Sequence, residues 1–429
     1  MYFNKVAPVV GSLALASLVS AVPVDKRGVI QYGDRGEHVK AYQAAQSGSS
    51  SQYGAPPQTW GSGTYTTAAS STPSATPSWS SGAPPLPSGS NSGSNPFSFP
   101  LSNGFPNIQN PSQQLTDIEI QAHGTLPNGP PPPSPPAADD LLSLRLIAFN
   151  ELWEVAFFTE LLANITNNVP GYQFQDPHFR QTVIDAITAV QAQEELHLLN
   201  ANGALAHFNA GPIQPCKYVA PVSDFNSAIA LASTFTDVVL GTLPDVQVHF
   251  GQNGDAGLIR GVGSVIGQEG EQNGFYRQIL GKIPSALPFL TASAREFAFS
   301  ALNQDFIVPG SCPNANTIAL PIFDTLNVLT QNIQPKDQTI QFSFSDSKYQ
   351  SMDGLSLVYI NQQNTPVVQP ITQSYVSNGA ITFSANFPFT ENEMNGLTIA
   401  AVVTGQGPFA DVDAVAKATI AGPGLIEIN

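Results

Sequence analysis

The chain has 429 residues, enough for two ordinary domains and a linker, and a formal net charge of −16 with only 11% charged residues. That acidity argues against nucleic acid and against an anionic membrane surface as partners. Proline (37) and glycine (35) are abundant and concentrate early in the sequence.

Residues 1–21 read as a secretory signal. Lys5 sits in a short n-region, residues 6–19 form an apolar core, and Val19-Ser20-Ala21 offers a small-residue cleavage site. The apolar run is short and broken by Gly, Ala and Ser, unlike a membrane anchor. No second long apolar stretch stands out, so the expected location is secreted or extracellular, cell-wall association included. Lys26-Arg27 looks like a dibasic site for pro-segment processing. Residues 22–138 are then expected to be a pro-segment and a disordered stalk rich in Ser, Pro and Gly. Runs such as Ser88-Gly89-Ser90-Asn91-Ser92-Gly93 offer too little apolar surface to fold. The stalk ends in prolines at Pro130 to Pro133 and Pro135-Pro136, a stiff polyproline segment.

Order is expected from Asp139-Asp140, acidic residues suited to a helix start. Residues 140–163 are apolar nearly all round, with Leu144, Ile147, Leu152, Trp153, Phe157, Phe158 and Leu161, which marks a central helix. Asp176-Pro177 opens a second helix as N-cap and first-position proline, running to about residue 202. A third is expected over 223–241, ending at Gly241 and Pro244. A fourth covers 255–281 and a shorter fifth 285–305. With no strand signal between them, residues 139–312 form a helical bundle. Inside the fourth helix, Gly261-Val262-Gly263 suggests close helix packing.

Cys216 and Cys312, the only cysteines, each lie beside a proline and are expected to form one disulfide between loops, as suits export. Asn164-Ile165-Thr166 is an unobstructed glycosylation sequon, whereas Asn110-Pro111-Ser112 is blocked by its proline. Residues 313–336 read as a linker. From 337 the period becomes two: Thr339 to Phe344 and Ala380 to Phe383 alternate, while Leu355 to Ile360 and Leu397 to Val403 are continuously apolar. Asp353-Gly354, Asn378-Gly379 and Asn395-Gly396 mark turns. Residues 337–429 are therefore expected to be a small antiparallel β-sandwich, making the chain an α+β multidomain protein.

The chemistry lies in carboxylates on faces that should be apolar. In Gln193-Glu194-Glu195-Leu196-His197, Glu194 and His197 share the stripe of Phe179, Val183, Ile187, Val190, Leu198 and Ala201. On the fourth helix Glu269 faces Leu258, Val262, Val265, Ile266 and Tyr276, so it too points inward. On the first helix Glu151, Glu154 and Glu160 all have apolar neighbours, and periodicity does not choose among them. A carboxylate or imidazole in a core stripe must be paired, protonated or bound to a metal.

Asn150-Glu151-Leu152-Trp153-Glu154 followed by Glu194-Glu195-Leu196-His197 resembles the first half of a ferritin-like domain. The signal peptide, the low-complexity leader, Gln268-Glu269-Gly270-Glu271-Gln272-Asn273-Gly274-Phe275-Tyr276-Arg277 and the trailing β segment narrow the likeness. Together they resemble the fungal secreted ferritin-like family of stress-response and late-sexual-development proteins. The resemblance implies a ferritin-like four-helix bundle with Glu151 as the carboxylate of the first helix, Glu194 and His197 as the pair of the second, and Glu269 on the fourth. It also departs from the pattern twice. Gln272 stands where a histidine is expected, and the third helix offers only Asp237 where a glutamate is expected. The implied cofactor is iron or manganese, with dioxygen or peroxide chemistry open to it.

Two functional readings follow. In one, Glu151, Glu194, His197 and Glu269 hold a metal. In the other the site is degenerate and metal-free, a hydrogen-bond network with an arginine such as Arg277 or Arg260. The chain would then be a non-catalytic extracellular or cell-wall protein, its stalk or β segment contacting cell-wall glycan. Glu154 and Glu160 are expected to be solvated or paired rather than ligands, and His207 and His249 to be surface or capping groups. The appended β segment and stalk argue against a ferritin cage, and oligomeric state is left open.

Overall fold

The computed structural model describes residues 99–345, 349, 351–377 and 379–428. All of them fall in one unit of the chain, Ser74–Asn429. The signal peptide, the dibasic site and the stalk up to residue 98 lie outside the described residues, as does Asn378.

Among the described residues the protein is α+β, with eight α-helices and two antiparallel four-stranded sheets. The helices are α1 Gln113–Ala122, α2 Ala138–Thr166, α3 Pro177–His207, α4 Phe225–Asn253, α5 Ile259–Ile279 and α6 Arg295–Asp305, with short α7 Phe389–Asn392 and α8 Val412–Ala418 among the strands. The strands are β1 Asn327–Val328, β2 Gln338–Phe344, β3 Leu355–Asn361, β4 Val367–Gln369, β5 Thr372–Ser377, β6 Ala380–Phe387, β7 Gly396–Thr404 and β8 Thr419–Ile428. One sheet has the order β1-β2-β6-β5 and the other β4-β3-β7-β8.

Helix α2 is buried on every side because its sequence is apolar on every side. It lies along α3, while α4 lies along α5. Its aromatics tie the helices together: Trp153 stacks on Phe306 at 4.4 Å, Phe157 meets Phe235 of α4 edge-on at 5.4 Å, and Phe158 lies 6.0 Å from Tyr276 of α5. Asp176 caps α3, accepting from the His178 N–H at 2.8 Å, with Pro177 in the first turn.

Several boundaries differ from the expectation. The third long helix, α4, continues through Gly241 and Pro244 to Asn253. Gly241 is a contact rather than a stop: the Ser293 N–H donates to its carbonyl, and the Thr291 carbonyl sits where a Cβ would be. Of the glycine pair in α5, Gly261 faces open space, whereas a Cβ at Gly263 would stand 3.0 Å from Gln247 Nε2 of α4, so the close approach of the two helices is at Gly263 alone. Helix α4 is also apolar and long enough to cross a membrane by composition, but 83% of its most apolar window is buried inside the protein, as in a core helix. Part of the expected stalk is folded. Ser112 caps α1 by accepting from the Leu115 N–H at 3.0 Å, and Leu115, Ile118 and Ala122 pack on Ala192 and Leu196 of α3. The expected linker 313–336 contributes β1 and the buried Phe323, Leu326 and Val328.

Sheet β1-β2-β6-β5 meets the other across a shared core, with Phe342 of β2 6.4 Å from Tyr359 of β3, and Tyr359 5.3 Å from Phe387 of β6. The opposite face of β3 and β7 packs on Val238 of α4 and on Phe297 and Ala298 of α6. Burial on both faces is why those two strands read as continuous apolar runs while β2 alternates.

Polar groups close the junction between α2, α4 and α6. The Arg295 guanidinium donates to Asp139 at 3.0 Å and to Ser143 at 2.8 Å, and the Arg295 backbone N–H donates to Asp245 at 3.0 Å. His249 Nδ1 lies 2.8 Å from Asp139. Burial, reinforced by Asp413 and Glu296, pushes the Asp245 carboxyl up to about 7 against the pull of Arg295. A folded-state value above the unfolded one favours the protonated form in the fold. This stabilisation is complete below about pH 4 and is lost as pH rises through about 7. Asp245→Asn, which keeps an acceptor for Arg295, should therefore match the parent near pH 4 in chemical denaturation and exceed it above pH 7, by at most about 4 kcal/mol.

The Cys216–Cys312 disulfide forms as expected and closes a loop with a sequence separation of 96. Replacing both cysteines with serine should lower stability by about 2–5 kcal/mol, toward the upper end for so long a loop, measured by urea unfolding with and without reductant.

Candidate metal centre

Three helices bring four ligand residues together. Glu151 of α2, Glu194 and His197 of α3 and Glu269 of α5 each offer one atom, and these atoms all lie within 4.8 Å of one another. Donors held about 2.0–2.2 Å from a common ion stand at most about 4.4 Å apart, so a contraction of a few tenths of an ångström would close the set. Helical spacing explains the convergence: on α3 the interval of three puts Glu194 and His197 one above the other on the face that carries Val190, Leu198 and Ala201.

The site is dry. Glu194 is fully buried, and Glu151 and Glu269 are each 1% exposed. Of the four, His197 alone reaches the edge, its side chain 15% exposed. His197 Nδ1 lies 2.7 Å from Glu194 Oε2 and 3.6 Å from Glu151 Oε2, the second distance beyond hydrogen-bond range. Gln272 Nε2 donates to the other oxygen of Glu194 at 2.6 Å. Both oxygens of Glu269 and Oε2 of Glu151 have no hydrogen-bond partner among the described residues. Buried polar atoms are rarely left so, and three orphaned carboxylate oxygens beside an imidazole fit a cation.

The electrostatics say the same. Burial pushes the Glu151 carboxyl up to about 7 in spite of His197, and burial with the neighbouring carboxylates raises Glu269 well above the usual range. Burial works against a charged His197, but Glu194 and Glu151 outweigh it and hold its proton well above the usual imidazole range. Without a cation, protons must take the place of charge; an ion would displace them.

The remaining candidates divide. Gln272 is present, but as an amide donor to Glu194. Asp237 of α4 is not in the cluster. It accepts from Asn273 Nδ2 at 2.9 Å, its carboxyl raised to about 6 by burial and held down by Arg277, which is buried and donates to the Ile283 carbonyl at 2.8 Å. Arg260 is exposed and takes no part. Asn164 lies half-buried in the last turn of α2, its side chain against the Tyr172 hydroxyl.

Glu154 is paired and outside the cluster, as expected, but more deeply buried than its pattern required. It is 2% exposed, not solvated, and accepts from Asn150 Nδ2 at 2.7 Å; burial and the charges of Glu194, Glu151 and Glu269 raise its carboxyl well above the usual range. Its spacing of three from Glu151 was the available signal. Glu160 is half-buried, and burial alone raises its carboxyl.

Compared with known proteins, the chain matches no family model and no curated relative. The cluster of acids without partners has a measurable consequence. Glu269→Met should raise the stability of metal-free protein by about 1–4 kcal/mol in urea unfolding, because an apolar side chain of similar volume replaces an unpaired buried acid.

Proposed function

We propose that this is a secreted ferritin-like protein that holds one iron or manganese ion through Glu151, Glu194, His197 and Glu269. In this reading α2, α3, α4 and α5 are the four helices of the ferritin-like bundle, and the two sheets are an appended β-sandwich. The observation that carries the proposal is Glu269, whose two oxygens are buried without a hydrogen-bond partner among the described residues and which offers one of them within 4.8 Å of a ligand atom from each of Glu151, Glu194 and His197. Three hard carboxylates and one borderline imidazole suit iron or manganese better than a thiolate-seeking metal. The disulfide belongs to an oxidising environment and supports export. A role in fungal stress response or sexual development rests on the sequence resemblance.

A bound iron or manganese would supply Lewis-acid and one-electron chemistry toward dioxygen or peroxide. The chain's own contribution is to exclude water, fix Glu194 between Gln272 and His197, and hold Glu154 buried against Asn150.

One observation favours the metal-free alternative, an extracellular scaffold that contacts cell-wall glycan. Both oxygens of Glu194 already have partners, in Gln272 and His197. Elemental analysis after exhaustive dialysis separates the two. The metal reading expects close to one ion per chain in the native protein and a loss of at least tenfold in occupancy in Glu194→Ala. Metal-free native protein that refuses added Fe²⁺ and Mn²⁺ would establish the scaffold.

A further inference from the structure

We propose that residues 101–126, the folded end of the leader, form a strap that belongs to the metal centre, and that Gln193 is the positioning residue joining the two. This rests on the metal-binding reading. The strap grips α3 on either side of Glu194. Before it along the helix, Ala192 packs under Leu115, Ile118 and Ala122 of α1; after it, Leu196 joins the same apolar cluster. Asn103 Nδ2 donates to both oxygens of Glu195, at 3.1 and 3.0 Å, and the Phe105 N–H donates back to Asn103 Oδ1 at 3.0 Å, which fixes the amide. Phe105 itself is fully buried in the helical core.

Gln193 carries the contact inward. Its Nε2 donates to the Ala122 carbonyl at 3.3 Å, and its Oε1 accepts from Gln272 Nε2 at 3.1 Å and from Gln268 Nε2 at 2.9 Å. Gln272 uses the same nitrogen to donate to Glu194 Oε1 at 2.6 Å. Each amide thereby sets the polarity of the next. The Ala122 carbonyl is at the C-terminus of α1, where helix carbonyls lack intrahelical partners, and it demands a donor. Gln193 answers with its nitrogen, so its oxygen faces α5. That oxygen accepts from both Gln268 and Gln272, so Gln272 turns its nitrogen toward Gln193 and Glu194 and its carbonyl toward the Tyr276 hydroxyl at 3.5 Å. A reversed Gln272 would set an acceptor against a carboxylate. The strap therefore decides which oxygen of Glu194 is tied down and which is left to the ion and His197. Coupling of this kind is reciprocal: an ion at Glu194 must steady the strap as much as the strap steadies the ligand.

The test uses the full-length protein with Co²⁺ as probe, followed by its visible ligand-field spectrum, together with hydrogen exchange across Gln113–Ala122. For the wild type, Co²⁺ should slow exchange in that helix. Gln193→Met, which removes both ends of the link, should weaken Co²⁺ about 10- to 100-fold and shift the spectrum, as loss of groups that orient a ligand does. Gln193→Glu keeps the acceptor for Gln272 but cannot donate to Ala122. It should keep the wild-type spectrum and lose the Co²⁺-dependent slowing of exchange, which also decides the matter if Gln193→Met does not fold. Wild-type affinity and spectrum in Gln193→Met, or exchange in α1 indifferent to Co²⁺, would overturn the strap while leaving the metal site standing. A wild type that takes up no Co²⁺, Fe²⁺ or Mn²⁺ would instead bring down the metal reading and the strap with it.

Discussion

Carboxylates that share a dry site repel one another and lose their hydration, so the middle of the helical region is organised around supplying compensating charge. Glu151, Glu154, Glu194 and Glu269 are all at most 2% exposed, with one imidazole among them. At an effective dielectric of about 20, two unit charges about 4 Å apart interact by roughly 4 kcal/mol, so four glutamates cannot all be ionised there without cations. His197 supplies one positive charge, Asn150 and Gln272 supply hydrogen bonds, and protons supply the rest. That arrangement is stable enough to fold and unsatisfied enough to accept an ion. A fully satisfied network would resist one.

The architecture around the site keeps it rigid. Aromatic side chains from α2 reach α4, α5 and the end of α6, so Glu151 and Glu154 sit on a helix held from several sides. Helix α3 is held from both sides, by α2 on its inner face and by the strap on its outer face. Ligands on helices fixed at two faces move little, which is what a site of defined geometry requires.

Much of this was written in local sequence pattern, and the exceptions have physical causes. Glu194, His197 and Glu269 were legible because they interrupt apolar stripes, and β3 and β7 because burial on both faces left unbroken apolar runs. Helix α1 was hidden because its three buried residues, Leu115, Ile118 and Ala122, stand within a leader whose average composition reads as disordered. Strand β5 gave no signal since all six of its residues are exposed, and β8 carries Gly422-Pro423-Gly424 in its middle. Proline there is tolerated where the β7–β8 register shifts. The depth of Glu154 was not legible because helix α2 is apolar all round, so its inward face cannot be told from the others by periodicity.

The placements of Asp237 and Gln272 belong together. A ligand from α4 would have to point at the cluster, but Asp237 turns instead toward Asn273 and Arg277, with Glu427 of β8 adjoining. The next residue, Val238, packs into the core that the second sheet shares with α6. Helix α4 thus serves the junction with the sheets: Gly241 admits the chain at Thr291 and Ser293, and Asp245 receives the start of α6. Once α4 is committed to that junction, a second ion would lack its carboxylate on this side, and a histidine at 272 would bring a ligand without a partner. A neutral amide there is the compatible choice, because it can hold Glu194 and accept direction from Gln193 without adding charge. The candidate cluster is therefore one-sided, drawing its residues from α2, α3 and α5. Its asymmetry follows from joining the helices to the sheets through α4, which adds no residue to the cluster.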